Sequence, residues 1–364
     1  MDHTTEFNEK FQQELEKARQ EMGRRPNILV CGYTGSGKSS LTKAILGDIV
    51  PDDAIGSGAP KTMGFDCFES DLIRIWDSKG MEAGETEDEF TETVKKFVRR
   101  QQDAQSVDEH IHLVWYTIPG PEARVTDCDL NLIKNIFNQK DVIVVITKAD
   151  CTREYQKSAI IQRLLDAGIA EEQIVFTSDL EGGAIGCKEL MALSYKMLPE
   201  AYKDAFMEAQ RIDLEAKIEA IKAKRSKAAV IITTATVGAG ATGAIPIPTS
   251  DAPILIAGQT AMIASLAVLY GFKEEAIKKS VYPFVAKAVG MFAASSLIKL
   301  IPGLGNVISG AIAATLTGAM GWYIQNDFEN IAIARAKGET VPEPVFNVED
   351  FMAFFKEYKE KNNQ

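Results

Sequence analysis

The feature that most constrains the fold is a glycine-rich segment between an apolar run and a helical pattern. Residues 32–39 read Gly-Tyr-Thr-Gly-Ser-Gly-Lys-Ser and fit the pattern G-x-x-x-x-G-K-S. The preceding run, 28–31, is typical of a buried strand, and residues 40–46 have the periodicity of a helix. Because a phosphate-binding loop needs this context, we predict a P-loop at the end of the first strand of an α/β domain.

The P-loop predicts binding of a nucleoside triphosphate together with Mg²⁺. Backbone N–H groups of such a loop and the positive end of the following helix surround phosphate oxygens. Lys38 is expected to reach the β- and γ-phosphates, and the Ser39 hydroxyl is expected to ligate Mg²⁺. The predicted phosphate-binding residues are Gly32, Thr34, Gly35, Ser36, Gly37, Lys38, Ser39 and Ser40.

A second motif follows the strand-like run 73–76. Residues 77–80 read Asp-Ser-Lys-Gly, a D-x-x-G motif. We predict that the Asp77 carboxylate holds Mg²⁺ through water and that the N–H of Gly80 approaches the γ-phosphate.

A third motif indicates guanine as the base. Residues 147–150 read Thr-Lys-Ala-Asp after the apolar run 141–146 and are close to N-K-x-D. A carboxylate at Asp150 can accept hydrogen bonds from N1–H and the amino group of guanine, a donor pair that adenine lacks. The predicted base-binding residues are Thr147, Lys148, whose stem would cover the base, Asp150, and Thr177 and Ser178, which follow the strand-like run 173–176.

In this order, the motifs resemble those of the translation-factor-related GTPases, in the Era-like and septin-like branch. Residues 26–198 carry the resemblance, which implies GTP and GDP as ligands and GTP hydrolysis as the reaction. Residues 58–62, Gly-Ala-Pro-Lys-Thr, are similar to switch I of that family. The resemblance implies Lys38, Thr62 and Gly80 as catalytic residues and Ser39, Thr62 and Asp77 as metal-binding residues.

The residue after the D-x-x-G motif is Met81, where Ras has a glutamine that positions the attacking water. Because a thioether cannot orient water, we expect a low intrinsic rate. A group supplied in trans, or by a homodimer across the nucleotide, is then expected to complete the site. Glu82, Glu85 and Arg124 are the candidates in this chain for such a group.

Composition sets limits without naming a function. The 364 residues predict two or more domains, and the formal charge of −11 gives no direct signal for nucleic acid. Five cysteines without paired spacing and an amino terminus without an apolar signal segment predict a cytoplasmic protein with reduced thiols. His110 and His112 alternate in what reads as the strand 110–118, so a metal role for them is not expected.

Changes in hydrophobic period divide the chain into five predicted segments. Residues 1–25 form an amphipathic helix whose apolar stripe is Phe7, Phe11, Leu15, Ala18 and Met22. We expect it to dock on the C-terminal region, with a partner or membrane as the alternative. Residues 26–198 predict a doubly wound, mostly parallel sheet of the α/β class. A helical connector (199–227), an Ala/Gly-rich helical domain (228–345) and an aromatic helical tail (346–364) follow.

The C-terminal region contains charge-free apolar runs over residues 228–250, 252–272 and 300–326. Each is long enough to cross a bilayer, but glycines and prolines at 238, 240, 243, 246 and 248, and again at 302 and 303, predict interrupted helices arranged as hairpins. Two interpretations stay open: a compact helical bundle, or hairpins that lie on or in a membrane. Small residues favour helix contact in both settings.

Residues 228–330 also resemble a C-terminal domain of unknown function, described as "associated with GTPases", that a bacterial subgroup carries. The segment 246–253, Pro-Ile-Pro-Thr-Ser-Asp-Ala-Pro, is where this resemblance is most specific. Immunity-related GTPases of animals have a broadly similar plan. The basic cluster 222–227 beside the first apolar run would suit anionic headgroups.

The sequence thus predicts a GTP-binding switch that hydrolyses GTP slowly. When GTP orders its switch segments, the conformational change is expected to reach a helical domain and an unknown protein effector. One alternative is a self-assembling GTPase of the dynamin or immunity-related kind that meets a membrane surface. Another is a nucleotide-binding scaffold without turnover.

Overall fold

The structure is a computed structural model that describes residues 3–22, 24–47, 64–70, 72–80, 85–178, 185–242, 252–272, 281, 284, 310–340 and 346–362. The chain divides into two compact units. The sheet unit comprises residues 24–217, and the helical unit comprises residues 1–23 and 218–364.

The sheet unit is built on six strands. They are β1 (Asn27–Gly32), β2 (Phe65–Glu69), β3 (Arg74–Ser78), β4 (Leu113–Pro119), β5 (Val142–Thr147) and β6 (Ile174–Phe176). Their order in the sheet is β2-β3-β1-β4-β5-β6. The edge strand β2 runs antiparallel to β3, and all other neighbours are parallel. The order reverses at β1, so chain segments that leave the carboxyl ends of neighbouring strands diverge there and open a crevice.

Helices cover both faces of this sheet, which explains why β1, β4 and β5 are buried along their whole length. Alternate residues of β1 point to opposite layers: Leu29 and Cys31 to one, Ile28 and Val30 to the other. The first layer contains α3 (Glu87–Gln102), α4 (Asp127–Asn131) and α5 (Glu154–Asp166), and the second contains α2 (Lys38–Leu46), α6 (Cys187–Met197) and α7 (Glu200–Ala209). The predicted α/β class with a mostly parallel sheet is confirmed.

The start of α3 is set by local sequence. The Thr86 hydroxyl accepts the N–H of Glu89, and the Glu89 carboxylate accepts the N–H of Thr86, which together form a capping box. Buried Phe90, Val94 and Phe97 then recur at helical spacing on the face toward the sheet. The helix that follows the D-x-x-G motif therefore begins at a defined residue.

The predicted start of the fourth strand was wrong. The fourth strand begins at Leu113, and His110 and His112 precede it instead of alternating along it. Nδ1 of His112 accepts the N–H of Asn27 at 2.9 Å, so the imidazole takes the place of a strand carbonyl at the start of β1. Periodicity alone does not distinguish this side-chain cap from one more strand residue.

The sheet unit also extends past the predicted boundary at 198. Phe206 of α7 is fully buried in the second helical layer, and Arg211 donates its backbone N–H to the carbonyl of Ile45. Residues 199–217 therefore pack with the sheet, although that stretch was predicted as part of a connector.

The helical unit contains α1 (His3–Met22), most of α8 (Leu214–Thr242), α9 (Ala252–Leu269), α10 (Gly310–Ala336) and α11 (Val348–Asn362). Phe11, Leu15 and Ala18 of α1 are buried, and α1 packs along α9. The amino-terminal helix thus docks on the C-terminal region; the Phe7 side chain lies outside the described residues.

The sequence predicted that Gly238 and Gly240 interrupt the helix of the first apolar run, and this prediction was wrong. Helix α8 continues through both to Thr242, and the prolines at 246, 248 and 302 lie outside the described residues. In the tail, Phe346, Phe351 and Phe355 are buried beside α10, with Tyr323 in ring contact with Phe346 and Phe351. No helix within the described ranges is both long and apolar enough to span a bilayer.

Candidate functional site

The residues predicted from the three motifs converge at the carboxyl edge of the sheet. The P-loop leaves β1, Asp77 lies near the end of β3, Thr147 ends β5, and Thr177 follows β6. In open parallel sheets this edge, at the point where strand order reverses, is where ligands bind.

Two glycines allow the P-loop to take its path. At Gly32 a Cβ atom would lie 2.4 Å from the carbonyl oxygen of Thr117, so β1 approaches β4 too closely for any side chain there. Gly37 has φ +85° and precedes the first turn of α2 in a left-handed conformation that favours glycine. The two glycines therefore allow the turn from β1 into the first turn of α2, the kind of helix start at which anions bind.

Lys38 is the first residue of α2, and its ammonium group lies inside the loop. Nζ donates to the carbonyl oxygens of Gly32, at 3.1 Å, and Tyr33, at 2.9 Å. The side chain is only 6% exposed. Burial lowers the pKa of Lys38, and the nearby Asp77 carboxylate opposes the shift. A bound phosphate would place charged oxygens beside this cation. They would replace the two carbonyl partners and form stronger hydrogen bonds.

Asp77 and Ser39 form the candidate metal site. The Ser39 hydroxyl donates to Oδ2 of Asp77 at 2.6 Å. Burial raises the pKa of Asp77 to about 6, while the Ser39 hydrogen bond and Lys38 favour the charged form. In the part of the chain that the structure describes, Oδ1 of Asp77 is buried without a hydrogen-bond partner. A carboxylate with one open oxygen beside a hydroxyl fits Mg²⁺, which takes few protein ligands and completes its shell with phosphate and water.

Gly80 packs directly against the P-loop. Its φ is +78°, and a Cβ atom would lie 2.4 Å from the N atom of Thr34 and 2.9 Å from Nζ of Lys38. Thr34 in turn approaches the D-x-x-G segment, since its hydroxyl donates to the carbonyl of Lys79 at 3.3 Å. The end of that motif and the phosphate loop are therefore in backbone contact.

The base-binding residues form the other end of the site. The Ser178 hydroxyl donates to Oδ1 of Asp150 at 2.7 Å, and the Cys151 thiol lies 2.9 Å from Oδ2. These hydrogen bonds, that of Cys151 first, lower the pKa of Asp150 and keep an exposed carboxylate ionised. The hydroxyl of Thr147 donates to the carbonyl of Ser36 at 2.6 Å, and Nζ of Lys148 donates to that of Gly35 at 3.0 Å. The third motif is thereby tied to the P-loop.

A cavity lies between these two ends. It is lined by Gly37, Ser40, Leu41, Ala44, Thr147, Lys148, Thr177, Ser178 and Cys187. Sequence reasoning missed three of these residues. Leu41 and Ala44 follow Gly37 and Ser40 at helical spacing, a signal that could have found them, but Cys187 has no local signal because α6 brings it in from a distance.

Some predicted residues cannot be compared with this geometry. Thr62 of switch I, Met81 and Glu82 lie outside the described residues. Glu85 precedes α3, and Arg124 is an exposed residue of the loop before α4.

Comparison with known proteins identifies a GTPase domain in the sheet unit. Residues 27–148 match the sequence model of a family described as 50S ribosome-binding GTPase. The chain carries a P-loop GTPase domain. That match supports guanine-nucleotide binding and indicates GTP hydrolysis only as the general activity of such domains. Within the GTPase domain the match ends at Lys148, so the loop after β6 lies beyond it, and no curated protein matches the chain.

Solved structures that are similar to the chain include two of Toc33 and one of a bacterial dynamin pair. A dimerization-deficient mutant of Toc33 from Arabidopsis thaliana is 14% identical, covers 54% of this chain and 91% of its own, and has a TM-score of 0.34. Toc33 from the same plant with Mg²⁺ and GMPPNP is 19% identical, with coverages of 57% and 94% and a TM-score of 0.31. An oligomerised bacterial dynamin pair is 12% identical, with coverages of 99% and 78% and a TM-score of 0.31. These identities and TM-scores give no basis for transferring mechanism.

Proposed function

We propose that the chain binds Mg²⁺·GTP, hydrolyses it slowly and acts as a switch that couples its GTPase domain to the helical unit and to a protein effector. The observation that carries this proposal is the joining of three motifs through the P-loop. Lys38 and Gly80 meet at the loop, Asp77 bonds to Ser39, and Lys148 bonds to the loop carbonyl of Gly35. A ligand that fills the loop therefore touches the base-reading and the phosphate-sensing segments at once.

In the proposed reaction, Lys38 binds the β- and γ-phosphates and the N–H of Gly80 holds a γ-phosphate oxygen. Mg²⁺ neutralises charge on the phosphate oxygens, and Ser39, Asp77 and Thr62 are its proposed protein ligands. The other proposed phosphate-binding residues are Thr34, Gly35, Ser36, Gly37 and Ser40. The residues proposed to hold guanine are Thr147, Lys148, Asp150, Thr177 and Ser178. Loss of the γ-phosphate on hydrolysis would release the segment that ends in Gly80.

A first test compares Lys38→Ala with Lys140→Ala, an exposed lysine of the same domain. We expect Lys38→Ala to abolish GTP turnover and to weaken nucleotide binding strongly, because a buried cation is removed from the phosphates, while Lys140→Ala behaves as the wild type. Phosphate release and titration with a fluorescent GDP analogue measure the two effects. Turnover that persists in Lys38→Ala would refute the proposed site, and wild-type binding without turnover would favour the scaffold alternative.

A second test concerns the base. In Asp150→Asn the amide presents one donor and one acceptor, which match the N1–H and C2 carbonyl of xanthine better than the two donors of guanine. We expect affinity for GTP to fall by about 10²-fold or more and affinity for xanthosine triphosphate to rise. Unchanged GTP affinity, or tighter binding of ATP than GTP by the wild type, would remove Asp150 as the base-reading residue.

The low rate and its completion by a second copy are proposed from Met81 and from the exposed position of Arg124. Turnover per molecule, measured over a wide range of protein concentration, distinguishes activation by a second copy of the chain from activation by a different protein. A specific rate that rises with concentration supports a homodimer through the GTPase domain. A flat, low rate supports a monomeric switch that depends on a separate activating protein.

A second candidate function is binding to a membrane surface, and the exposed face of α8 favours it. Val230 and Val237 are 67% and 66% exposed there, and the cationic side chains of Lys222 and Arg225 are also more than half exposed on the same helix. Exposed valines next to cations suit the boundary of an anionic bilayer. Vesicles containing anionic lipid should pellet the wild type more than Val230→Asp. Absence of pelleting with GDP and with a GTP analogue would remove this candidate.

The Era-like and septin-like assignment and the "associated with GTPases" assignment of residues 228–330 remain proposals. The five-segment division of the chain is also a proposal, except for its boundary at 198, which the sheet unit passes. The docking of α1 along α9 supports a C-terminal region that folds together with residues 3–22.

A further inference from the structure

Tyr33 occupies a variable position of the P-loop, yet its contacts extend well beyond the loop. Its carbonyl oxygen accepts Nζ of Lys38 at 2.9 Å and the N–H of Ser36 at 3.1 Å. A Cβ atom at Gly80 would come within 2.8 Å of the Tyr33 carbonyl carbon. The peptide that joins Tyr33 to Thr34 is therefore the surface on which the end of the D-x-x-G segment rests.

The side chain of Tyr33 anchors this peptide to two helices. Its ring stacks on Phe90 of α3, with centroids 6.1 Å apart. Its hydroxyl oxygen lies 3.0 Å from Oγ1 of Thr126, the residue that caps α4, and 3.3 Å from Oε1 of Glu87 in the first turn of α3. Both helices lie in the same layer over the sheet.

The direction of the hydrogen bond to Thr126 follows from its other partners. The Thr126 hydroxyl donates to Oδ2 of Asp129 at 2.9 Å, so its single proton is already used. Asp129 is 1% exposed and also accepts the Tyr116 hydroxyl at 2.6 Å. While Thr126 donates to Asp129, the Tyr33 hydroxyl is the donor in its contact with Thr126, and its single proton is shared between Thr126 and Glu87.

We propose that Tyr33 is a positioning residue that holds the Tyr33–Thr34 peptide in place for Gly80 by anchoring it to the cap of α4 and the first turn of α3. This inference rests on the proposed function, since Gly80 matters to a ligand only if a γ-phosphate is bound. When these contacts hold the Tyr33–Thr34 peptide, Gly80 packs on a surface that is already ordered. GTP binding then requires little further ordering of the D-x-x-G segment. GDP lacks the phosphate that Gly80 would contact, so its affinity does not depend on the anchor.

Tyr33→Phe tests this inference because the variant keeps the ring and its stacking on Phe90 and removes only the donor. Tyr155→Phe, at an exposed tyrosine of α5 in the same domain, is the matched control. Affinities for GDP and for a non-hydrolysable GTP analogue are measured by fluorescence titration, together with kcat and KM. We expect the preference for the analogue over GDP to fall by about fivefold or more in Tyr33→Phe, and to stay unchanged in Tyr155→Phe.

A second pair of variants separates positioning from simple support of the fold. Thr126→Val removes the acceptor, whereas Thr126→Ser keeps both the acceptor and the cap. We expect Thr126→Val to lose the preference as Tyr33→Phe does, with no further loss in the double variant, and Thr126→Ser to retain it. A lower melting temperature of Thr126→Val would not imitate this result, because a change in stability alone does not alter the ratio of two affinities.

Outcomes for the inference and for the proposed function are distinguishable. If the wild type binds neither nucleotide, the proposed function fails. If the wild type binds both and Tyr33→Phe weakens GDP and the analogue equally, Tyr33 only supports the loop and the inference is wrong. An unchanged preference in Tyr33→Phe overturns it as well.

Discussion

Replacement of Gly80 by alanine is the sharpest probe of the contact between the D-x-x-G segment and the P-loop. Two penalties add at this position. The left-handed backbone, φ +78°, costs an alanine about 1–2 kcal/mol. The new Cβ would also lie 2.4 Å from the N atom of Thr34, a contact with backbone that cannot move aside as a flexible side chain can. Overpacking of this kind costs about 1–3 kcal/mol. We expect Gly80→Ala to destabilise the GTPase domain by about 2–5 kcal/mol.

Gly168→Ala is the matched control. Gly168 has φ +82°, but no described atom lies within 4 Å of its Cβ position, so only the backbone penalty of about 1–2 kcal/mol applies. The difference between the two variants isolates the packing of Gly80 on the loop. Gly80→Ala should also lose preference for a GTP analogue over GDP, and Gly168→Ala should not.

Urea unfolding followed by tryptophan fluorescence measures the stability difference. In a Trp322→Phe background the remaining tryptophans, Trp76 and Trp115, both lie in the GTPase domain, so the signal reports that domain. The variants are compared without nucleotide and with GDP. If Gly80→Ala costs no more than Gly168→Ala and keeps the same nucleotide preference, the close packing at Gly80 does not contribute and the reasoning fails.

Two further predictions concern the stability of the GTPase domain. Nε1 of Trp115 donates to the Ser194 hydroxyl at 3.0 Å, and both groups are buried. Because Ser194→Ala leaves the indole N–H unpaired, it should lower the free energy of unfolding in urea by about 1–3 kcal/mol. A loss below about 0.5 kcal/mol would show that this hydrogen bond is unimportant. Burial lowers the pKa of His112 from its ordinary 6.5, and its Nδ1 must stay unprotonated to accept the N–H of Asn27. Because the unfolded chain binds the proton more readily, stability should be full above pH 6.5 and fall as the pH decreases through the folded-state pKa. His112→Asn, which keeps an acceptor but does not titrate, should lack this loss; equal pH profiles would contradict the assignment.

The parts of the site that could be predicted are those coded by short spacings. G-x-x-x-x-G-K-S requires glycine at Gly32 and Gly37 for reasons of backbone geometry, so those residues could be recognised without any tertiary information. The D-x-x-G and T-K-x-D motifs follow apolar runs, and parallel strands bring their carboxyl ends to one edge. Convergence of Lys38, Asp77 and Asp150 at that edge was therefore expected.

The errors arise where tertiary contacts override a local pattern. The strand predicted to include His112 is shorter because the imidazole caps β1 from outside the strand. The glycines of α8 were taken as breaks, but a helix tolerates single glycines at a cost of about 1 kcal/mol each when neighbouring residues pack. Phe206 was placed in a connector because the segment around it is charged, but Phe206 and Ala209 of α7 are buried in the second helical layer.

The sequence by itself determined the class of the fold and the kind of ligand, because a P-loop, its strand and its helix are contiguous in the chain. Only the tertiary structure showed that Tyr33 bonds to Thr126, that the Trp115 indole meets Ser194, and that Gly186 must lack a side chain because a Cβ there would overlap the carbonyl of Phe176. These partners are separated along the chain, and they meet only when the sheet and its helical layers close. Local spacing cannot encode a contact whose geometry depends on how whole elements pack.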